Sequence, residues 1–122
     1  MIHLGWPHVI NSDFDSKLEV PITIDGTKSE LWISVENKYS DYLSSDRNDG
    51  FLVAILNYAI RNNHDIYSDA PITEELLFNI DKYLVDALCR YNSNFKRPQI
   101  HAETISANKS NINAVGTGIS CG

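Results

Sequence analysis

Lys17-Leu-Glu-Val-Pro-Ile-Thr-Ile-Asp-Gly-Thr-Lys-Ser-Glu-Leu-Trp-Ile-Ser-Val-Glu-Asn37 decides the fold class of this chain. Leu18, Val20, Ile22 and Ile24 alternate with Glu19, Pro21 and Thr23, the period of a strand with one buried face. Asp25-Gly26 follows, and both positions tolerate the positive φ of a two-residue hairpin turn. Leu31, Ile33 and Val35 then resume the alternation. The spacing predicts an antiparallel pair over 17–25 and 29–37. Pro21 cannot donate to a ladder, so the first strand is expected at a sheet edge or with a bulge. Met1–Leu4 reads as a further short strand.

Downstream the period changes from two to that of a helix. Ser45-Asp46-Arg-Asn-Asp49 offers N-cap side chains ahead of Phe51, Leu52, Ile55, Leu56, Ala59 and Ile60, which share one helical face. Asn62-Asn63 ends that helix, because Asn tolerates the left-handed C-cap conformation. Thr73 is the expected cap of a second helix, with Glu74 and Glu75 complementing the dipole in its first turn. Leu76, Leu77, Ile80, Tyr83, Leu84, Ala87, Leu88 and Tyr91 form its expected apolar stripe. Residues 99–105 read as a strand, Asn108–Asn111 as a polar turn and 112–119 as a last strand of small residues. The order β-β-α-α-β-β predicts an α+β fold: an antiparallel hairpin, two packed helices, then two strands.

Bulk properties narrow the function classes. The 122 residues are 43% apolar and 21% charged, enough for one domain with a real core. A formal net charge of −6 argues against a nucleic-acid partner, which calls for a basic face. No stretch reaches the roughly 18–20 apolar residues that span a bilayer, so no membrane partner is expected. The N-terminus lacks a basic segment followed by a long apolar one, and so does not read as a secretory signal. Cys89 and Cys121 are the only cysteines and have no metal-type spacing, which suits a reduced, cytoplasmic compartment.

The chemistry-bearing residues form no catalytic or metal constellation at this level. His3, His8, His64 and His101 show no helical i,i+4 pairing or zinc-type cysteine neighbour and read as surface or half-buried side chains. A Cys–His nucleophile pair can be drawn, for example Cys89 with His101, although Cys89 adjoins the apolar stripe where an inert thiol is ordinary. Asp41, Asp46, Asp49, Asp65 and Asp69 could gather a divalent ion, but capping and turn chemistry accounts for them more simply. Trp6, Trp32, Tyr39 and Tyr42 suit core packing or a partner contact.

Ala114-Val-Gly-Thr-Gly-Ile-Ser-Cys-Gly122 is a strand-type run entering a small-residue loop. Gly118-Ile-Ser120-Cys121-Gly122 resembles the opening of the PP-loop of the ATP pyrophosphatase superfamily, whose pattern is S-G-G-x-D-S/T. Ser120 matches the first serine and Gly122 the second glycine, while Cys121 stands where glycine is usual. The variable position, the aspartate and the final Ser/Thr would follow Gly122. Asp49-Gly-Phe-Leu-Val-Ala-Ile-Leu, His64-Asp-Ile-Tyr-Ser-Asp-Ala-Pro-Ile-Thr-Glu-Glu-Leu-Leu and Arg97-Pro-Gln-Ile-His-Ala look similar to the front region of 7-cyano-7-deazaguanine synthase-like members.

That resemblance implies an N-terminal α+β domain over 1–111. Residues 112–122 would then form the first strand and the start of the PP-loop of a truncated second domain. Ser120, Cys121 and Gly122 would be an incomplete nucleotide-binding loop. ATP and Mg are implied for the parent enzyme, with no cofactor, catalytic residue or metal for the fragment alone. The implied partner is the chain's own following C-terminal domain, and a homo-oligomer is a further expectation. The alternative is a complete small protein-interaction module with no enzymatic role.

Overall fold

A ten-residue hairpin arm on each side of Asp25-Gly26 organises the computed structural model, which describes residues 1–106. Strands β1 (Ile2–Leu4), β2 (His8–Asn11), β3 (Asp15–Ile24) and β4 (Thr27–Glu36) come first. Asp25 and Gly26 have φ of 47° and 85°, so the expected turn with two left-handed residues is present. Ser16, Leu18, Val20 and Ile22 form the buried face of β3, as the alternation requires.

β3 is not an edge strand. β4 pairs with it along its whole length, while β1 and β2 lie end to end along its other side. Pro21 is tolerated there because of where that second side breaks. Its carbonyl accepts the Gly5 N–H at 2.9 Å, so its missing N–H also points at the gap between β1 and β2. The Gly5 carbonyl, which an N–H at position 21 would have met, instead accepts from the Asn48 side chain at 2.8 Å.

Beyond β1 the sheet turns parallel. β5 (Ile66–Ser68) runs parallel to β1, and β7 (Ile100–His101) runs parallel to β5, giving a mixed sheet of six strands among the described residues. The strand expected over 99–105 is therefore divided. After His101 the chain steps across to form β8 (Thr104–Ile105), parallel to β6 (Ile72–Thr73) in a separate two-stranded sheet. The architecture is α+β, as expected, with more and shorter strands. The turn 108–111, the strand 112–119 and the proposed second domain lie outside the described residues.

Helix α1 (Asp49–Arg61) buries Phe51, Leu52, Ile55, Leu56, Ala59 and Ile60, the face read from spacing. Each of the larger ones, Phe51, Leu52, Ile55, Leu56 and Ile60, contributes about 1.5–3 kcal/mol on removal from water, before conformational entropy is counted. Asn63, at φ 55°, closes the helix: its N–H reaches Ile60 and the following His64 N–H reaches Ala59.

The second helical segment departs from a straight α-helix. α2 (Glu74–Asn79) passes through a π-helical turn (Ile80–Val85) into α3 (Asp86–Tyr91). The wider turn moves the buried face from Ile80 to Val85, five residues on, and then to Leu88 and Cys89. Tyr83, Leu84, Ala87 and Tyr91, expected in the stripe, are consequently exposed. Arg97 braces this turn, with Nη1 donating to the Asp81 main-chain and carboxylate oxygens at 2.9 Å and Nη2 to Asp86 at 2.7 Å.

Candidate functional site

The residues expected to hold nucleotide, Ser120, Cys121 and Gly122, lie outside the described residues. Within 1–106 a largely apolar cleft of about 410 Å³ lies where the hairpin passes the start of α1. Leu18 and Ile33, directly paired across β3 and β4, line it together with Tyr42, Leu43, Phe51 and Ala54. Ser44, Arg47 and Asp49 supply polar groups. The 3-10 turn over Asn37–Tyr42 returns the chain from β4 and brings Tyr42 and Leu43 to this place.

Arg47 is not a free anion receptor. Its Nε and Nη2 donate to the two oxygens of Asp46 at 3.1 and 3.2 Å. Those hydrogen bonds hold the Asp46 carboxyl below its ordinary range and raise Arg47 further, against the desolvation that opposes both charges. The cleft therefore offers apolar surface beside an internally neutralised pair. Such a lining suits an apolar side chain more than a phosphate.

Asp49 is equally committed. Its carboxylate accepts the Thr73 N–H at 2.9 Å and the Thr73 hydroxyl at 2.7 Å, tying the start of α1 to the start of α2. Thr73 precedes α2 as expected, but its hydroxyl turns to Asp49 and makes no side-chain cap.

Behind the cleft, Asn48 is fully buried. Its Nδ2 donates to the Gly5 carbonyl and to Ser68 Oγ, both at 2.8 Å, and its backbone N–H donates to Pro71. In open parallel sheets a ligand crevice opens at the carboxyl ends of the strands. Here that position, beyond β1 and β5, is filled by the Asn48 amide. Asn48 Oδ1 is a buried side-chain acceptor with no hydrogen-bond partner among the described residues.

The sheet face opposite α1 carries His3, His8 and His101. His3, Tyr67 and His101 stand in register across β1, β5 and β7. His3 Nε2 lies 2.7 Å from Asp69 Oδ1, and the rings of Tyr67 and His101 stack with centroids 4.3 Å apart. Cys89 packs half-buried against the core on the other side of the sheet, so the structure does not bring Cys89 and His101 together. His64 contacts the Met1 amino group at 2.7 Å and Asp25 at 3.4 Å, and His8 lies 3.6 Å from Glu19.

The acidic residues are dispersed. Asp65 accepts the Gln99 N–H, Asp69 meets His3, Asp46 meets Arg47, Asp49 meets Thr73, and Asp41 sits exposed in the 3-10 turn. Among the described residues no group of three or more His, Cys, Asp or Glu side chains is placed to hold a metal ion.

Trp6, Trp32, Tyr39 and Tyr42 are all exposed, which removes core packing as their role. Lys17 Nζ lies 4.6 Å from the Trp32 ring centre, and Tyr39 and Tyr42 are 6.4 Å apart. Sequence reasoning singled out neither Arg47 nor the inward turn of Asn48. A buried Asn ahead of a helix has the same local signature as an ordinary cap. Among the described residues no helix is long and apolar enough to cross a membrane. Comparison with protein-family models, curated proteins and solved structures finds no significant match to this chain.

Proposed function

We propose that this chain serves as the N-terminal accessory domain of a PP-loop ATP-dependent adenylating protein of the 7-cyano-7-deazaguanine synthase-like kind. The observation that carries the reading is Ser120-Cys121-Gly122 directly after a strand-type run of small residues. Ser120 would supply a hydroxyl, and Cys121 and Gly122 main-chain N–H groups, to the pyrophosphate part of ATP. Mg and the rest of the nucleotide site belong to the following domain, and the fragment by itself is inactive.

The role of residues 1–106 on this reading is mechanical: they brace the catalytic domain and shape access to it in the cytoplasm. Phe78, Tyr83, Leu84 and Tyr91, turned outward along the second helical segment, are the surface offered to that domain. Exposed aromatic and aliphatic side chains of this density suit an interdomain contact.

Expression of the gene product read on beyond Gly122 tests the reading. It predicts pyrophosphate release from Mg-ATP that Ser120→Ala lowers by about 100-fold, the scale of losing one preorganised donor. A gene product that neither binds ATP nor releases pyrophosphate would overturn it.

The apolar cleft beside Ile33 and Tyr42 favours a second reading, an interaction module with no enzymatic role. Hydrogen exchange separates the two. Strong protection of 112–122 in the 122-residue chain supports the module, and weak protection supports the accessory domain.

A further inference from the structure

The outer edge of β4 carries a self-complementary pattern, and we propose that it pairs with β4 of a second copy about a two-fold axis at Trp32. The backbone register identifies the groups available. In β3–β4 the Ile24–Thr27 pair closes the two-residue turn, so alternate residues Lys28, Glu30, Trp32, Ser34 and Glu36 aim their N–H and C=O groups away from β3. Among the described residues no strand pairs with that side of β4. An unpaired edge of this length is a template for another strand.

A second copy is favoured over a foreign strand by charge and shape. With the axis at Trp32, an antiparallel partner places Lys28 opposite the partner's Glu36, Glu30 opposite the partner's Ser34, and Trp32 opposite the partner's Trp32. On the other face Leu31 meets the partner's Ile33. Every charged residue of the strand then faces an opposite charge or a hydroxyl, and symmetry repeats each contact. The neighbouring registers lack this match. An axis at Glu30 sets two Glu30 carboxylates together, one at Ile33 sets Glu30 against the partner's Glu36, and one at Leu31 sets Glu30 against the partner's Trp32.

The two large apolar side chains at the centre are both exposed in the monomer. Trp32 is 57% exposed on one face of β4 and Ile33 is 53% exposed on the other. Ile33 also lines the cleft beside α1, so the partner's Leu31 would close the open side of that cleft. Glu36 already touches Lys38 at 3.0 Å, and the partner's Lys28 would join that pair. This inference stands on β4 alone and is independent of the nucleotide reading.

Sedimentation of the full chain under reducing conditions, from about 5 to 500 µM, tests it. The wild type is expected to pass from monomer to dimer in that range. Glu36→Lys sets like charges opposite each other and should weaken the dimer by about ten-fold, while the swap K28E/E36K should restore it. Loss of a contact with Lys38 alone would not be rescued by the swap. Ser34→Pro removes an outward N–H without touching the β3 ladder and should abolish the dimer while the circular dichroism spectrum is retained. A wild type that stays monomeric overturns the proposal. So does a dimer indifferent to Glu36→Lys, or one that the swap does not restore.

Discussion

A methyl group placed on Gly5 would stand 2.6 Å from Pro21 Cγ, so the gap between β1 and β2 is closed by a ring packed on a bare backbone. The same pair orders the polar contacts behind it. Gly5 donates to the Pro21 carbonyl, and Pro21, with no N–H to return, leaves the Gly5 carbonyl to Asn48.

Gly5→Ala should destabilise the fold by about 2 kcal/mol, the usual scale for forcing a methyl into a packed site. The proline ring cannot swing aside as a flexible side chain would. The double variant Gly5→Ala/Pro21→Ala should recover more than half of that loss, read as a coupling in urea denaturation. Additive single effects would show that the two residues do not clash.

Asp49→Ala should cost about 2 kcal/mol, because a charged acceptor for both the N–H and the hydroxyl of Thr73 is lost. Thr73→Val, which removes only the hydroxyl, should cost less. Chemical denaturation of both variants checks the order.

The π-helical turn makes a prediction that a straight helix reverses. Val85→Ala should cost about 2 kcal/mol, since Val85 is in the core, whereas Leu84→Ala should change stability by less than about 0.5 kcal/mol. On uniform α spacing Leu84 would be the costly residue.

Asp25 sets an acid limb. The hydrogen bond from the Met1 amino group, and then the nearby His64, hold its carboxyl below the ordinary 3.8, against a smaller opposing effect of desolvation. A depressed folded pKa contributes stability that is present above 3.8 and is lost as pH falls below it, through the folded value. The urea midpoint should therefore drop below pH 3.8. Asp25→Asn, which suits the same left-handed turn position, should flatten that part of the profile.

The hairpin and α1 were legible because each repeats one period over many residues and ends on residues with a conformational reason, Asp25-Gly26 and Asn63. β2, β5, β6 and β8 were not. Strands of two to four residues hold too few side chains to show a period, and pairing partners distant in sequence define them. Pro21 misled for a physical reason: its missing donor excludes a paired position, but a central strand can contain an unpaired one. The shift at Ile80–Val85 left no local mark, since Leu84 and Val85 are both apolar. The cleft gathers residues from β3, β4, the 3-10 turn and α1, and no window of sequence holds them together.

The codons that follow Gly122 in the source gene decide whether a nucleotide-binding domain follows residues 1–111. A PP-loop protein requires any residue, then Asp, then Ser or Thr, to complete the loop opened by Ser120-Cys121-Gly122. A stop codon at that point, or a continuation without the aspartate and the hydroxyl residue, would contradict the accessory-domain reading.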